Sequence, residues 1–539
     1  MGRCEGERTN LTRGVPMGNF LGIDASTQSL TGLVIDPVTG QIVAEKSVNF
    51  DEHFSHRYGV ANGAIDLGDG VVHSPPLMWV EALEILFRQL DASGVKMASI
   101  DAVAGSGQQH GTVYLNMSAA GVLGGLRADM DLSEQLRDIF SRATAPIWMD
   151  TSTREQCTQI EEGVGGRQRL LDLTGNTAFE RFSGPQIRKF AQTEPEAYER
   201  TASICLVSSF MASLLAGRLV PVDAGDASGT NLMDIRPRRW SPDALAATAD
   251  GLNRRLLPVI DADSVVGPIS PFWVERYGLA ATCQVLPFSG DNPCSLIGLG
   301  LVRPGQMALS LGTSDTFFAC MDQVRTSDSG EGALFASPDG GHYMALICFL
   351  NGSLAREAVR DQYGLNWAEF AETLRRTEPG NDGRLMLPYF DAEIVPHVTA
   401  AGVLRENLDE GDVAGNVRAV VEAQAMSSRI HAEWMGIQVQ SVSVTGGASS
   451  SEDILQVYAD VHNCQVHRFQ TTNAAALGAA LRAVHGLARA QGTPMSWEDV
   501  VDPFIQPEAG STISPRPEAV SRYTECVEAY RALEQRRTG

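Results

Sequence analysis

The sequence predicts an α/β protein built as two lobes of similar plan with a cleft between them, and three observations support this. The chain has 539 residues, more than the roughly 100–200 residues of a typical domain. Its first half opens with three strand-like runs and continues with helical patterns. Its second half repeats that order, with a strand pair around a turn of small residues and then helices. We therefore expect a gross duplication of one plan.

The first-half elements are predicted from short apolar runs and from apolar residues at helical spacing. Strands are predicted at 19–24, 30–35, 41–49 and 100–104, with a turn at 36–40 (DPVTG). Helices are predicted at 76–90, at 201–217 as a core-packed helix, and near 242–255. Because no helix follows the first strand, the chain opens with a β-meander and not with a βαβ unit.

The second-half elements follow a stretch at 241–275 that is rich in proline and glycine and approaches a boundary. Strands are predicted at 285–286, 306–311, 316–321 and 441–444, and helices at 453–463 and 474–483. The predicted organisation is a disordered extension at 1–16, an N-terminal lobe at 17–283 and a C-terminal lobe at 284–539.

Charge and cysteine content limit the classes of partner. The chain carries 42 Lys+Arg against 65 Asp+Glu, a formal net charge of −23, which disfavours duplex nucleic acid and anionic membranes. An anionic small ligand stays possible, because backbone N–H groups and a metal ion can hold phosphate. The nine cysteines are scattered without paired spacing, which favours a reducing compartment. With no signal peptide and no membrane span predicted, we expect a soluble cytoplasmic protein.

Two hydroxyl-rich turns between strands are candidate phosphate sites. They are 22–29 (GIDASTQS) and 312–316 (GTSDT). Small and hydroxyl residues let backbone amides approach a phosphate, and the acidic Asp24 at the strand end can hold a water-shelled Mg²⁺. The alternative is a solvated turn with a side-chain cap. Two such turns in separate halves fit a nucleotide whose phosphates lie between two hairpins.

A third turn, 445–449 (TGGAS), follows a strand and precedes a helix. Its successive glycines would let the backbone lie flat against a base or ribose, although a simple tight turn is the alternative. Neither a Walker motif nor G-x-G-x-x-G is present, since in 105–111 (GSGQQHG) the third glycine falls one residue late. This argues against a nicotinamide enzyme.

Two further residues have side chains suited to sugar chemistry. His110 follows Gln108 and Gln109 beyond a strand end, a polar cluster suited to sugar hydroxyls, although a buried hydrogen-bonded histidine is the usual alternative. Asp291 stands at a strand terminus in 289–293 (SGDNP). It could accept the proton of an attacking hydroxyl, or it could cap a helix.

Six motifs follow one another along the chain. They are 107–111 (GQQHG), 148–150 (WMD), 179–184 (FERFSG), 289–293 (SGDNP), 351–357 (NGSLARE) and 446–449 (GGAS). In this order they resemble the FGGY family of carbohydrate kinases, within the actin/hexokinase/Hsp70 superfamily. The resemblance runs from about Phe20 to about Ala483 and implies a two-lobed ribonuclease H-like fold with an interlobe cleft. Many members have an arginine two residues after the WxD aspartate, whereas here Arg154 falls later, so Arg181 is the better sugar candidate.

The resemblance implies a role for each matching residue. The sugar-binding set is His110, Arg181, Asp291 and Asn292, with Asp291 also the general base and Asp24 the Mg²⁺-associated carboxylate. The ATP-binding set is Ser26, Thr27, Gln28, Gly312, Thr313, Trp367, Gly446, Gly447 and Ser451. Ser451 stands where some relatives have Asn, and a core aromatic is the alternative for Trp367.

The activity implied by the resemblance is transfer of the γ-phosphate of ATP to a hydroxyl of a ketopentose, with D-xylulose as the favoured substrate. Another ketose or polyol, such as ribulose or glycerol, is the nearest alternative. An actin- or Hsp70-like ATPase and a catalytically silent sugar sensor are the others. The expected partners are the sugar and ATP, with neither nucleic acid nor membrane, in a monomer or homodimer.

Overall fold

The structure is a computed structural model that describes residues 17–469 and 473–538 of the chain. The extension expected at 1–16 lies outside the described residues. The described chain divides into two compact units, which are named by their order. The first unit comprises residues 17–302, 335–342 and 473–505, and the second comprises 303–334, 343–469 and 506–538.

The strands of the two units vary in length from two to nine residues. They are β1 Asn19–Ala25, β2 Ser29–Asp36, β3 Gln41–Asn49, β4 Ile65–Asp66, β5 Val72–Ser74, β6 Ile100–Gly107, β7 Thr112–Asn116, β8 Ala145–Pro146, β9 Thr201–Leu206, β10 Val222–Asp223, β11 Met233–Asp234, β12 Arg239–Trp240, β13 Val259–Ile260, β14 Gly267–Pro268, β15 Gln284–Val285, β16 Ser289–Gly290, β17 Gln306–Leu311, β18 Asp315–Met321, β19 Ala333–Ala336, β20 Tyr343–Phe349, β21 Leu385–Leu387, β22 Leu404–Glu406, β23 Ser441–Thr445 and β24 Gln465–Arg468.

Helices connect and cover these strands. They are α1 Phe50–Tyr58, α2 Pro76–Ala92, α3 Ala119–Gly124, α4 Leu132–Leu136, α5 Arg154–Val164, α6 Arg167–Thr174, α7 Ser183–Thr193, α8 Pro195–Arg200, α9 Val207–Ala216, α10 Ala224–Ala227, α11 Pro242–Thr248, α12 Pro271–Tyr277, α13 Asp291–Gly298, α14 Ser353–Gln362, α15 Trp367–Arg376, α16 Val413–His431, α17 Glu452–His462, α18 Ala474–Ala490, α19 Trp497–Val501 and α20 Pro517–Thr538. Short 3₁₀ turns lie at Met97–Ser99, Ser228–Thr230, Leu252–Arg254, Asn381–Gly383, Glu433–Met435 and Gly447–Ser450.

The main sheet of the first unit has the order β14-β15-β6-β1-β2-β3, with β16 also paired to β6. β1, β2 and β3 form an antiparallel meander, and β6 runs parallel to β1. β1 is apolar along most of its length and is buried, as expected for a central strand covered on both faces. The register of β1 and β6 brings the polar residues at their carboxyl ends side by side.

Helix α18 comes from late in the chain but packs on the first strand of the first unit. Gly22 of β1 lies so close to α18 that a Cβ there would be 2.0 Å from the carbonyl oxygen of Ala476. A side chain at Gly22 would therefore push the helix away, so this close approach requires glycine. The first unit thus needs residues from both ends of the chain to complete its core.

The main sheet of the second unit has the order β19-β20-β18-β17-β23-β24. β17, β18 and β20 are antiparallel neighbours, and β23 and β24 are parallel to β17. This is the arrangement of β1, β2, β3 and β6 again, so the predicted duplication of plan is confirmed. Among the described helices, none combines the length and apolar composition needed to cross a bilayer.

Most predicted strands and helices are present, within one to three residues at most ends. Helix α18 extends further than predicted, to Ala490, and the helix predicted near 242–255 already ends at Thr248. The helix predicted at 201–217 is wrong for its first six residues, which form β9 and pair with β7. An apolar run does not by itself distinguish a strand from a buried helix, and the pairing partner was not visible locally.

The compact units also differ from the expected boundary after residue 283. The first unit continues to Val302, because β15 and β16 both pair with β6. Asp291 therefore belongs to the same unit as Asp24, whereas the expected boundary assigns it to the second lobe.

Candidate active site

Asp24 lies near the carboxyl end of β1 and is held by two hydroxyl groups. The pairing of β1 with β6 puts it opposite Ser106, whose Oγ donates to Asp24 Oδ1 at 2.7 Å. Ser26 Oγ donates to the other carboxylate oxygen. Burial raises the pKa of Asp24, and these two hydrogen bonds oppose the shift. The group is a buried carboxyl with hydroxyl partners.

Asp291 begins helix α13, directly after β16 brings the chain beside the end of β6. Its Oδ1 accepts from the backbone N–H of Asn292 at 2.8 Å and of Gln109 at 3.3 Å. Burial raises the pKa of Asp291 to about 7, and the charge of Asp24 adds to the shift. Asp291 is therefore suited to accept a proton near neutral pH.

His110 has a left-handed backbone with φ of 74° and a fixed ring. Its Nδ1 lies 2.7 Å from the carbonyl oxygen of Gly229, and the ring stacks on Phe182 with centroids 4.3 Å apart. Burial lowers the pKa of His110 to about 3, helped by the positive charge of Arg181. Because a carbonyl only accepts, the neutral ring carries its hydrogen on Nδ1, and Nε2 is left as an acceptor.

Asn292 and Arg181 complete the predicted sugar-binding set in the first unit. Asn292 Nδ2 donates to Gln109 Oε1 at 2.9 Å and to Asp291 Oδ1 at 3.1 Å. Arg181 is partly buried and its guanidinium lies 5.9 Å from the ring centre of Phe179. The four predicted sugar residues thus belong to one unit, with Asp291, Asn292 and His110 linked through Gln109 and its neighbours.

The turn after β1 is hydrogen-bonded to the tryptophan of the 148–150 motif. Trp148 Nε1 donates to Thr27 Oγ1 at 2.7 Å, and Thr27 Oγ1 donates to Gln108 Oε1 at 3.5 Å. The backbone carbonyl of Gln28 accepts from Phe50 N at 2.9 Å, which anchors the hairpin to α1. The predicted phosphate residues Ser26, Thr27 and Gln28 therefore sit in a well-braced turn.

Asp150, the carboxylate of the 148–150 motif, accepts hydrogen bonds from its own loop and from two other segments of the chain. It is fully buried, and its Oδ1 accepts from Ser152 N at 3.0 Å and Gln186 Nε2 at 2.8 Å. Its Oδ2 accepts from Val72 N at 3.1 Å. Asp150 thus fixes the loop that carries Trp148, a structural role that the motif alone did not reveal.

The second phosphate turn lies between β17 and β18 in the second unit. The carbonyl oxygen of Gly312 accepts from Ser353 N at 2.9 Å, which joins the turn to the start of α14. The next residues of the turn lead to Asp315, whose two oxygens accept from Arg356 at 2.8 and 2.9 Å. Arg356 is fully buried, so this ion pair supports the turn containing Gly312 and Thr313 from behind.

Gln424 extends this support and was missed by sequence reasoning. Its Oε1 accepts from Arg356 Nη1 at 2.7 Å, and its Nε2 donates to the carbonyl oxygens of Asn351 and Gly352 at 2.7 and 2.8 Å. Arg356 and Gln424 are 68 positions apart. Gln424 lies within the long helix α16, where an amide among alanines gives no local sign of a contact so distant in sequence.

A cavity of about 640 Å³ lies within the second unit. Its lining includes Ser353, Glu357, Trp367, Phe370, Arg375, Gly447 and Ser451. Trp367 is 44% exposed, and the guanidinium carbon of Arg360 lies 4.5 Å from its ring centre. Asn366 caps α15 by accepting from Ala368 N and Glu369 N, which fixes the start of the helix that carries Trp367.

The glycine pair after β23 has two different environments. Gly446 has φ of 90° and ψ of 173°, a conformation open essentially to glycine alone. A Cβ on Gly446 would lie 2.5 Å from the carbonyl oxygen of Leu311, whereas a Cβ on Gly447 would meet no described residue other than its chain neighbours within 4 Å. Ser451 lines the cavity and also caps α17, since its Oγ accepts from Ile454 N at 3.4 Å.

The predicted residues therefore fall into two groups. The first unit holds Asp24, Ser26, Thr27, Gln28, His110, Arg181, Asp291 and Asn292, and the second holds Gly312, Thr313, Trp367, Gly446, Gly447 and Ser451. Trp367, Gly447 and Ser451 line one cavity. Their roles toward ligands stay predictions.

Comparison with known proteins gives full-length relatives. The chain is 43% identical over 528 residues to the xylulose kinase of Rattus norvegicus, covering 96% of each chain. It is 41% identical over 492 residues to xylulose kinase 2 of Arabidopsis thaliana, covering 87% of this chain and 88% of that protein.

Solved structures share the fold. The xylulose kinase of Rhodospirillum rubrum has a TM-score of 0.79 at 19% identity, covering 96% of this chain and 98% of that one. The glycerol kinase of Plasmodium falciparum with ADP has a TM-score of 0.76 at 19% identity, with the same coverage.

Family models match both halves of the chain. Residues 141–298 match the N-terminal domain of the FGGY family of carbohydrate kinases, and residues 307–487 match its C-terminal domain. Together with relatives above 40% identity over nearly the whole length, these matches identify the protein's family. The chain belongs to the FGGY family of carbohydrate kinases.

Proposed function

We propose that the protein transfers the γ-phosphate of ATP to the terminal hydroxyl of D-xylulose, forming D-xylulose 5-phosphate. The observation that carries this is Asp291, a buried carboxyl whose pKa burial and Asp24 raise to about 7, hydrogen-bonded beside Asn292. The choice of sugar rests on the relatives, since the similar proteins of Rattus norvegicus and Arabidopsis thaliana are xylulose kinases.

Asp291 acts as the general base in this proposal. Its carboxylate accepts the proton of the attacking hydroxyl as the oxygen–phosphorus bond forms and the bond to the leaving ADP breaks. In a loose transition state the proton moves late, so the main task of the protein is to align the reactants. The N–H groups of Gln109 and Asn292 hold Asp291 Oδ1, which leaves Oδ2 for the substrate.

The remaining sugar residues bind hydroxyls of the substrate. His110 supplies an acceptor at Nε2, because Gly229 fixes the hydrogen on Nδ1. Arg181 supplies donors and has no hydrogen bond or ion pair with any other described residue that would compete for them. Acceptor and donors together suit a polyol, whose hydroxyls both give and take hydrogen bonds.

Asp24 is the residue that would associate with Mg²⁺. A buried carboxyl with two hydroxyl partners, close enough to Asp291 for their charges to interact, fits an oxygen-preferring hydrated cation. Magnesium bound there supplies positive charge to the phosphates. Asp24 itself, with Ser26 and Thr27, contributes the oxygens and backbone N–H groups of the first phosphate turn.

The second unit binds the nucleotide in this proposal. Gly312 and Thr313 offer N–H and hydroxyl donors to phosphate from a turn that the ion pair of Asp315 and Arg356 braces. Trp367 and Gly447 line a cavity large enough for a nucleoside. A base can stack on the exposed indole.

The test is ADP release measured with ATP and Mg²⁺ across D-xylulose, D-ribulose and glycerol at equal concentrations. We expect the highest kcat/KM with D-xylulose, and phosphorus NMR of the product should identify a 5-phosphate ester. A preference for ribulose or glycerol would reassign the substrate within the family. ATP turnover that does not depend on any sugar would overturn the kinase proposal in favour of an ATPase.

A further inference from the structure

The cavity of the second unit has two ends that can be distinguished by chemistry. At one end Ser353, a lining residue, donates its backbone N–H to the Gly312 carbonyl of the phosphate turn. At the other end Trp367 presents an exposed indole. A nucleotide bound with its phosphates at the turn and its base on Trp367 would have its ribose between these two points.

Helix α14 runs between the two ends and carries one residue near each end and one between them. Ser353, Glu357 and Arg360 are spaced four and three residues apart, so they follow one another on the same face of the helix. At about 1.5 Å per residue, Glu357 lies about 6 Å along the axis from Ser353. Arg360 reaches the indole of Trp367, with 4.5 Å between its guanidinium carbon and the ring centre.

Arg360 also indicates which face of Trp367 is free. It covers the indole from a position outside the residues that line the cavity, whereas Trp367 itself lines it. Phe370 contacts Trp367 edge-on with ring centroids 5.5 Å apart. The indole is therefore held in place with one face left for a base.

Glu357 is the lining residue between Ser353 and Arg360, and its carboxylate has no role in the interactions described so far. It makes no hydrogen bond or ion pair with any other described residue, although the charges of Arg356 and Arg360 act on it. A carboxylate is an acceptor only, and it repels phosphate. A ligand group that contacts Glu357 would therefore be a donor, and the hydroxyl pair of a ribose is such a donor.

We propose that Glu357 accepts a hydrogen bond from the ribose hydroxyls of the nucleotide and so selects ribonucleotides over deoxyribonucleotides. This rests on the proposed function, because it requires ATP to occupy the cavity in the second unit. Glu357 is a specificity residue in this assignment. It takes no part in the transfer of the phosphoryl group.

The selectivity expected from Glu357 follows from the strength of a charged hydrogen bond. Loss of one hydrogen bond to a carboxylate weakens binding by about tenfold or more. The wild-type protein should therefore have a KM for 2′-deoxy-ATP or 3′-deoxy-ATP about tenfold above that for ATP. In Glu357→Ala the KM for ATP should rise to the deoxynucleotide value, and the ratio should fall to about one.

The experiment compares ATP, 2′-deoxy-ATP, 3′-deoxy-ATP and purine riboside triphosphate, which lacks the amino group of adenine, with the full-length wild type, Glu357→Ala and Glu357→Gln. Calorimetric titration of ADP and deoxy-ADP gives a readout independent of turnover. Glu410→Ala removes one negative charge from the same unit outside the cavity and should keep the wild-type ratio. Glu357→Gln, which keeps one acceptor oxygen without the charge, should give an intermediate ratio.

Two results would overturn the assignment. One is a Glu357→Ala variant that still discriminates against deoxynucleotides as strongly as the wild type. The other is a variant that loses discrimination against purine riboside triphosphate instead, because Glu357 would then read the base. Failure of the proposed function looks different, since the wild type itself would then lack sugar-dependent turnover of ATP.

Discussion

Asp24 lies close enough to Asp291 for its charge to raise the pKa of Asp291. Burial is the larger cause, and together they bring the pKa from an ordinary 3.8 to about 7. The two carboxyl groups come from positions far apart in the chain, and the pairing of β1 and β16 with β6 brings them into one unit. A carboxyl group with this pKa matches the requirement for a general base near neutral pH.

The pH dependence of sugar phosphorylation should reflect this pair. Asp291 must be deprotonated to accept a proton, so kcat/KM for the sugar should rise about tenfold per pH unit below about 7 and level off above it. Raising the Mg²⁺ concentration should move the acid limb to lower pH, because a cation near Asp24 offsets its charge. Steady-state rates from pH 5 to 9 at constant ionic strength test this. An acid limb below pH 5 at all Mg²⁺ concentrations would contradict it.

Replacement of Asp291, the proposed base, should separate chemistry from nucleotide binding. Asp291→Asn keeps the shape of the side chain but cannot accept the proton, so kcat should fall by about 10²–10⁴-fold. ADP affinity should stay within twofold of wild type, because the cavity where we propose that the nucleotide binds lies in the second unit. Coupled-assay rates and calorimetric titration of ADP measure the two effects. Normal turnover in this variant would remove Asp291 from the mechanism.

The two adjacent glycines of the second unit offer a matched pair of substitutions. Gly446→Ala should lower the stability of folding by about 1–3 kcal/mol, because the backbone conformation is open essentially to glycine and the new methyl meets the carbonyl of Leu311. Gly447→Ala should leave stability within about 0.5 kcal/mol, because the new Cβ has no atom of a described residue beyond its chain neighbours within 4 Å.

In kinetics we expect the opposite order, with Gly447→Ala having the larger effect on the KM for ATP. Gly447 lines the cavity proposed to bind the nucleotide, so its added methyl should raise the KM for ATP several-fold with little change in the KM for the sugar. Thermal unfolding and steady-state kinetics on both variants check these outcomes. An unchanged KM for ATP in Gly447→Ala would mean that the ligand does not approach this backbone.

His431 should make the stability of the second unit depend on pH. Its ring nitrogens lie 3.2 Å from Glu331 Oε2 and 3.0 Å from Glu534 Oε2, and Phe349 packs nearby. Burial alone would lower the pKa of His431, but the hydrogen bonds and charges of the two glutamates outweigh it and raise the pKa to about 9. The stabilisation is fully present below pH 6.5 and is lost as the pH rises toward 9.

The substitution His431→Gln tests this pH dependence. It should lower the free energy of unfolding by on the order of 1–3 kcal/mol at pH 6, and the difference from wild type should shrink by pH 9.5. His56→Gln, at an exposed position of α1, serves as the control and should change little. Denaturant titrations at both pH values measure the difference. A loss of stability that is equal at the two pH values would refute the charge-based explanation.

The sequence was sufficient for features that depend on neighbours along the chain. The strand predicted at 41–49 coincides with β3, because its β-branched residues and preceding turn are local signals. The site residues were recognisable because they stand at strand ends among glycines and hydroxyl side chains, where Asp24 and Asp291 both occur. Their common membership of the first unit was not predicted, because it depends on which strands pair with β6.

The structural features that the sequence did not predict depend on contacts between residues distant in sequence. Gln424 bonds to Arg356 and to the carbonyls before α14 from within an apolar helix, and no pattern in its neighbourhood indicates such partners. Likewise, residues 201–206 form β9 because β7 is available to pair with them. Without knowledge of that partner, an apolar run of this length is compatible with a strand or a helix.

The packing of α18 on β1 has a consequence for how the protein is made. Gly22 packs closely against Ala476, so the strand that carries Asp24 gains its covering helix only after the residues between β1 and α18 have also been synthesised. Domains usually fold as units during synthesis, with the N-terminal one first. Here the first unit cannot be completed until residues 473–505, which follow most of the second unit in the chain, are available. A chain truncated before residue 474 would leave β1 with an apolar face exposed, and we expect chaperones and proteases to act on it.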